Sequence, residues 1–167
     1  ENNVLTDFFT TYTYDKNREF YLTNSPAMDI LISSNLERLL YIVTDNNEVL
    51  VKDLMDSLKL TGKFTLPKEY YDKLNDFMAC SITKDETVEN IKNCYDKYHY
   101  LIDPHTAVGY GAYEKFSNEL SGKTVVVSTA SPYKFVETVN EVFKVEGVGL
   151  ECIEKIAEIT NTDVPQI

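Results

Sequence analysis

Tryptophan is missing from this 167-residue sequence, and histidine (2), cysteine (3), proline (5) and glycine (6) are all scarce. So little glycine and proline excludes a collagen-like or low-complexity chain. The cysteines Cys80, Cys94 and Cys152 are far apart and form no CxxC pair, and neither His99 nor His105 stands at zinc-finger spacing from one of them. A metal centre therefore has no support, and reduced, space-filling thiols are the plainer reading. Apolar runs of the ~20 residues a membrane helix needs are absent, as is a secretory leader pattern, so no membrane partner is expected. Basic residues are few: 16 Lys and Arg face 27 Asp and Glu, a net charge of −11. With no basic face to hold a phosphate backbone, nucleic acid is excluded as a partner.

What is present is ordinary globular composition, 43% hydrophobic and 26% charged, enough for one domain or a large piece of a bigger one. No methionine precedes Met28, and the last residues, NTDVPQI, stop without a capped end; both read as a chain cut from a longer one.

Helical spacing dominates. Ser34 to Glu37 has capping-box spacing, followed by Leu36, Leu39, Leu40 and Val43 on one stripe. A second helix is expected from Asn47, with Val51, Leu54, Met55 and Leu58 inward, ending at Gly62. Tyr70 or Tyr71, Leu74 and Phe77 suggest a short helix after Pro67. Thr83 to Glu86 is a second capping box, opening a stripe of Val88, Ile91, Tyr95, Tyr98 and Ile102. Asp103 then Pro104 read as a cap and first helical residue, with Gly109 and Gly111 either weakening the helix that follows or admitting something close. Leu150, Ile153 and Ala157 are spaced for a last helix.

Strands are expected only at 19–23, 77–82 and 124–128. The last, TVVVS, is apolar without alternation, the pattern of a strand covered on both faces. Three short strands do not build such a sheet, so the chain reads as part of an α/β protein whose other strands lie elsewhere. In open α/β sheets, ligands bind beyond the carboxyl ends of strands. Ser128 and Thr129 fall there, and Ser131-Pro132 would cap a helix carrying Phe135, Val136 and Val139, whose free N–H groups suit an anion. The plainer alternative is that these hydroxyls only cap a turn. Similarly, His105 in a first helical turn is either a neutral imidazole able to polarise a ligand or an ordinary turn residue. Asn35, Glu37 and Arg38 crowd one helix start, which again suits a cap and a surface pair. The twelve tyrosines fit half-buried helix faces better than a stacking platform, since basic residues are not interleaved with them.

Together, NNVLTDF (2–8), SPAMDILISSNLERLL (25–40), DPHTAVGYGAY (103–113) and VVVSTASPYKF (125–135) resemble, in order, the C-terminal portion of threonine synthases. The resemblance implies an α/β, helix-rich fold: a partial fold-type II pyridoxal-phosphate-enzyme domain with few strands and an inserted helical region. Residues 1–44 and 101–145 would be parts of the cofactor-binding α/β domain, 45–100 the insertion, and 146–167 a truncated C-terminal helical segment. It implies a cytoplasmic lyase converting O-phospho-L-homoserine and water to L-threonine and phosphate, with pyridoxal 5′-phosphate as cofactor. The family's Schiff-base lysine and glycine-rich phosphate loop would lie upstream, in the missing N-terminal part of the same chain. No catalytic residue is therefore expected in this segment, and the segment alone should be inactive. Thr129, with Ser128 beside it, is implied to face the cofactor's pyridine nitrogen. Ser25, Asn35, Asp103, His105 and Lys134 match motif positions near or supporting the site, and Arg38 or Lys134 could offset phosphate charge. No metal is implied. Ala27 departs from the serine usual in SPSMD, which puts a polar role there in doubt. Two alternatives remain: another fold-type II lyase, which DPHTAV and SNLERLL argue against, and a non-catalytic acidic helical domain that binds a protein.

Overall fold

The computed structural model describes residues 2–164. The reading of the chain's ends as cut falls partly on Glu1 and on residues 165–167, outside the described residues. Two compact units are present: the chain up to Leu22 together with Met28–Ser81, and Thr23–Ala27 together with the chain from Ile82 on.

In the first unit, α1 (Val4–Thr11), β1 (Thr13–Asp15), α2 (Ser34–Val43), α3 (Glu48–Thr61), β2 (Lys63–Thr65) and a 3-10 turn at Lys68–Leu74 follow one another. The strands pair antiparallel, Tyr14 opposite Phe64. Both point inward, as period-two side chains must, and their rings stack 5.5 Å apart with Phe8 edge-on to Phe64. Val4, Leu36, Leu40, Val51, Leu54 and Leu66 close the core around them. The Tyr14 side chain is fully buried. Its hydroxyl donates to the Leu31 carbonyl at 3.0 Å and accepts the Ser33 amide at 2.9 Å, which satisfies it and orders the loop entering α2. The α3 ends are as expected. Asn47 accepts from the Leu50 amide, and Gly62 takes the left-handed conformation at φ 83°. The start of α2 is not: its cap is Ser33, whose side chain makes no capping hydrogen bond. The short helix expected after Pro67 is the 3-10 turn, which buries Leu74 and ends before Phe77.

In the second unit, α4 (Lys84–Tyr98), α5 (Pro104–Phe116), a 3-10 turn (Pro132–Phe135), α6 (Val136–Phe143) and α7 (Leu150–Thr160) surround a core of Ile91, Leu101, Ile102, Ala107, Val136, Val139 and Ile156. The expected capping box of α4 is complete. Thr83 accepts the Glu86 amide, and Glu86 accepts the Thr83 amide at 2.7 Å. The buried face of α4 is Thr87, Ile91 and Cys94, not the longer stripe through Tyr98. The helix stops at His99, which is left-handed at φ 52°, so Ile102 enters the core from the link to α5. Gly111 is the close approach, since a Cβ there would collide with the Asn90 side chain of α4. Cys80, Cys94 and Cys152 form no disulfide among the described residues, and burial pushes the thiols of Cys94 and Cys152 up from the ordinary range.

None of the three expected strands forms among the described residues. The ladder is the 13–15 and 63–65 pair instead. Those strands are three residues long and each sends one ring inward, too short for an alternation signal. The stretch 124–128 has no ladder partner among the described residues. Val125 and Val127 are 83% and 74% exposed, while Val126 packs on the core. The helix expected from Ser131 is broken in two: Ser131 caps the 3-10 turn, and α6 starts only at Val136. In α7, Leu150 is exposed and the buried residues are Cys152, Ile156 and Thr160.

Gly62→Ala will destabilise the protein by about 1–2 kcal/mol, because a Cβ is strained at positive φ and would strike the Asn17 side chain; urea unfolding measures it. Glu86 gives a pH test. Lys115 and the Thr83 amide hold its carboxyl at about 2, below its ordinary 4.5. Its stabilisation is therefore present above 4.5 and is lost as pH falls toward about 2. Glu86→Gln will flatten the stability–pH curve in that window.

Candidate functional site

The site grows from the first turn of α5. Asp103 is the N-cap, fully buried, and its Oδ1 accepts the His105 amide at 2.9 Å. The same oxygen lies 2.8 Å from His105 Nδ1. On the far side of the ring, His105 Nε2 accepts the Ala27 backbone N–H at 3.0 Å. An Nε2 that accepts carries no proton, so the imidazole is the Nδ1–H tautomer and donates to Asp103. Phe135 meets the ring edge-on at 4.6 Å. Both ring nitrogens are thus engaged inside the chain, and His105 acts here as a brace.

Asp103 Oδ2 accepts the Thr106 hydroxyl, and Thr106 Oγ1 is 3.0 Å from Ser128 Oγ. One buried carboxylate therefore ties the segment before Met28 and the end of the 124–128 stretch to the start of one helix. Ser25 is buried in that segment, its amide donating to Thr23 Oγ1 at 3.1 Å. Asn24 is buried too; its Nδ2 donates to the Lys84 carbonyl at 3.4 Å, while its Oδ1 has no partner among the described residues.

Of the residues expected from the sequence, the structure joins Asp103, His105 and Ser128 in one network, with Ser25 two positions from its Ala27 end. Thr129 is exposed, and its hydroxyl has no partner among the described residues. Lys134 is exposed in the 3-10 turn. Asn35 and Arg38 belong to the other unit, where Arg38 donates to Asn35 Oδ1. They line a groove of about 920 Å³ with Glu37, Tyr41, Lys52 and Asp56. Thr106 and Phe135 were not expected from the sequence. Thr106 had a signal, since the residue three after an N-cap faces it; Phe135 had none. Ala27 contributes its backbone N–H, which needs no hydroxyl.

The family model for the threonine synthase C-terminal region matches residues 106–165. Threonine synthase of Saccharomyces cerevisiae is 38% identical over an alignment covering 84% of this chain and 30% of that protein. The chain is therefore similar to the C-terminal part of threonine synthases. The crystal structure of the yeast threonine synthase matches 97% of this chain and 36% of its own, with TM-score 0.79 and 31% identity. The structure of pyridoxal-phosphate-bound threonine synthase from Brucella melitensis matches 97% of this chain and 34% of its own, with TM-score 0.78 and 32% identity. The chain thus spans about 30% of the length of the curated yeast relative. Its helix-rich fold with few strands is that of the matching part of these fold-type II enzymes.

His105→Leu will release the Ala27 amide, and hydrogen exchange at Ala27 will accelerate roughly tenfold or more while exchange in α3 is unchanged.

Proposed function

We propose that this chain is the C-terminal portion of a cytoplasmic threonine synthase that converts O-phospho-L-homoserine and water to L-threonine and phosphate with pyridoxal phosphate. The observation that carries the reading is the match of 97% of the chain to two threonine synthase structures at 31% and 32% identity. On this reading residues 1–44 and 101–145 are parts of the cofactor-binding domain, 45–100 are a helical insertion and 146–167 a C-terminal segment. The cofactor's lysine belongs to another part of the full-length protein, and the chain by itself is inactive. The exposed Val125 and Val127 favour a strand that pairs with further strands there.

The residues present fit the cofactor. A pyridine nitrogen accepts a hydrogen bond, and the exposed Thr129 hydroxyl is a neutral donor with no other partner among the described residues. Bound pyridoxal phosphate would supply the electron sink for the chemistry. Thr129 would hold the ring while leaving its nitrogen unprotonated, whereas a carboxylate at that place would keep the proton on. Asp103 and His105 would fix the segment that contains Ser25, and Lys134 or Arg38 would offset phosphate charge.

The full-length protein should show the absorbance of bound pyridoxal phosphate and release phosphate from O-phospho-L-homoserine. Thr129→Val should lower that release roughly tenfold or more. Absence of both bound cofactor and phosphate release in the wild type would overturn the reading and favour a protein-binding domain. Activity toward a different amino-acid substrate alone would favour another lyase of the fold.

A further inference from the structure

His105 holds Ala27 only while its ring is neutral. Its Nδ1 donates to Asp103 Oδ1 at 2.8 Å, and a doubly protonated ring still makes that bond. The far side of the ring behaves differently. Nε2 accepts the Ala27 amide at 3.0 Å, so a proton on Nε2 removes the lone pair and sets two N–H groups face to face. The Asp103 carboxylate is the ion-pair partner of the ring among the described residues. Phe135 meets the ring edge-on, Lys134 beside it is exposed, and the Thr23–Ala27 segment has no titratable side chain.

The segment moves as one piece. The Ser25 amide and hydroxyl both meet Thr23 Oγ1 at 3.1 Å, which ties Ser25 to its own segment. Asn24 reaches the Lys84 carbonyl at 3.4 Å, and its buried Oδ1 has no partner among the described residues. Lifting the segment lets water reach that oxygen, which offsets part of the cost of opening. We propose that Thr23–Ala27 is a proton-released clip: the neutral His105 ring fastens it, and protonation of that ring frees it and takes Ser25 out of place. The clip is present above the titration point of the ring and is lost as pH falls through it. That a bound small molecule feels the loss rests on the reading of Ser25 as site-supporting.

In the full-length protein, hydrogen exchange at Ala27 is followed across pH and corrected for the intrinsic pH dependence of amide exchange, while the His105 ring is titrated by NMR. The expected result is constant protection of Ala27 above the titration point and a loss of about tenfold per pH unit below it, one proton per opening, with Ile91 in the core of the same unit unchanged. His105→Gln has no titrating ring, so it should abolish that pH dependence whether or not it still holds the segment. Protection at Ala27 that ignores the titration of the ring would overturn the proposal, as would the same pH dependence in His105→Gln or a parallel loss at Ile91. Affinity for O-phospho-L-homoserine, compared between wild type and His105→Gln over the same pH range, tests the reading of Ser25 separately. An affinity that ignores a confirmed opening would remove Ser25 from the site and leave the clip standing.

Discussion

A carboxylate taken fully out of water has to be compensated with donors, and at Asp103 three are supplied: the His105 amide, the His105 ring and the Thr106 hydroxyl. The rest of the site depends on that requirement. Because the ring must donate through Nδ1, its Nε2 must accept, and the Ala27 amide is what it accepts. Thr106 Oγ1 also meets Ser128 Oγ, which brings the end of the 124–128 stretch to the same helix start. A helix cap thereby becomes the joint between two segments remote from each other in sequence.

The first unit is organised by a different constraint. Tyr14 is a polar-tipped ring at the centre of an aromatic cluster, and its hydroxyl is acceptable there because the loop entering α2 supplies both an acceptor and a donor. Ring stacking across a two-strand ladder supplies the cohesion that a longer sheet would otherwise provide, which is why so little strand suffices.

The hydroxyl-rich end of the 124–128 stretch joins the packing of the second unit to its polar network. Val126 anchors the stretch to the core and Ser128 ties it to α5, while Val125, Val127 and Thr129 are exposed. An apolar run without alternation suits a strand buried on both faces, and among the described residues only one of those faces is covered.

Local chemistry written in a few consecutive residues was legible. The α3 boundaries at Asn47 and Gly62, the Thr83–Glu86 capping box and the Asp103-Pro104 helix start each depend on groups within one turn, so the sequence by itself determined them. The ordered motifs likewise sufficed for the family. What tertiary structure alone decided was pairing over distance. Residues 13–15 found 63–65 because packing of Phe8, Tyr14 and Phe64 chose that register, and the valine stretch stayed unpaired because no strand among the described residues met it. His105 became a brace because Ala27, seventy-eight positions away, presents an N–H to it. No periodicity or cap encodes such a meeting, since it exists only once two remote segments have been packed together.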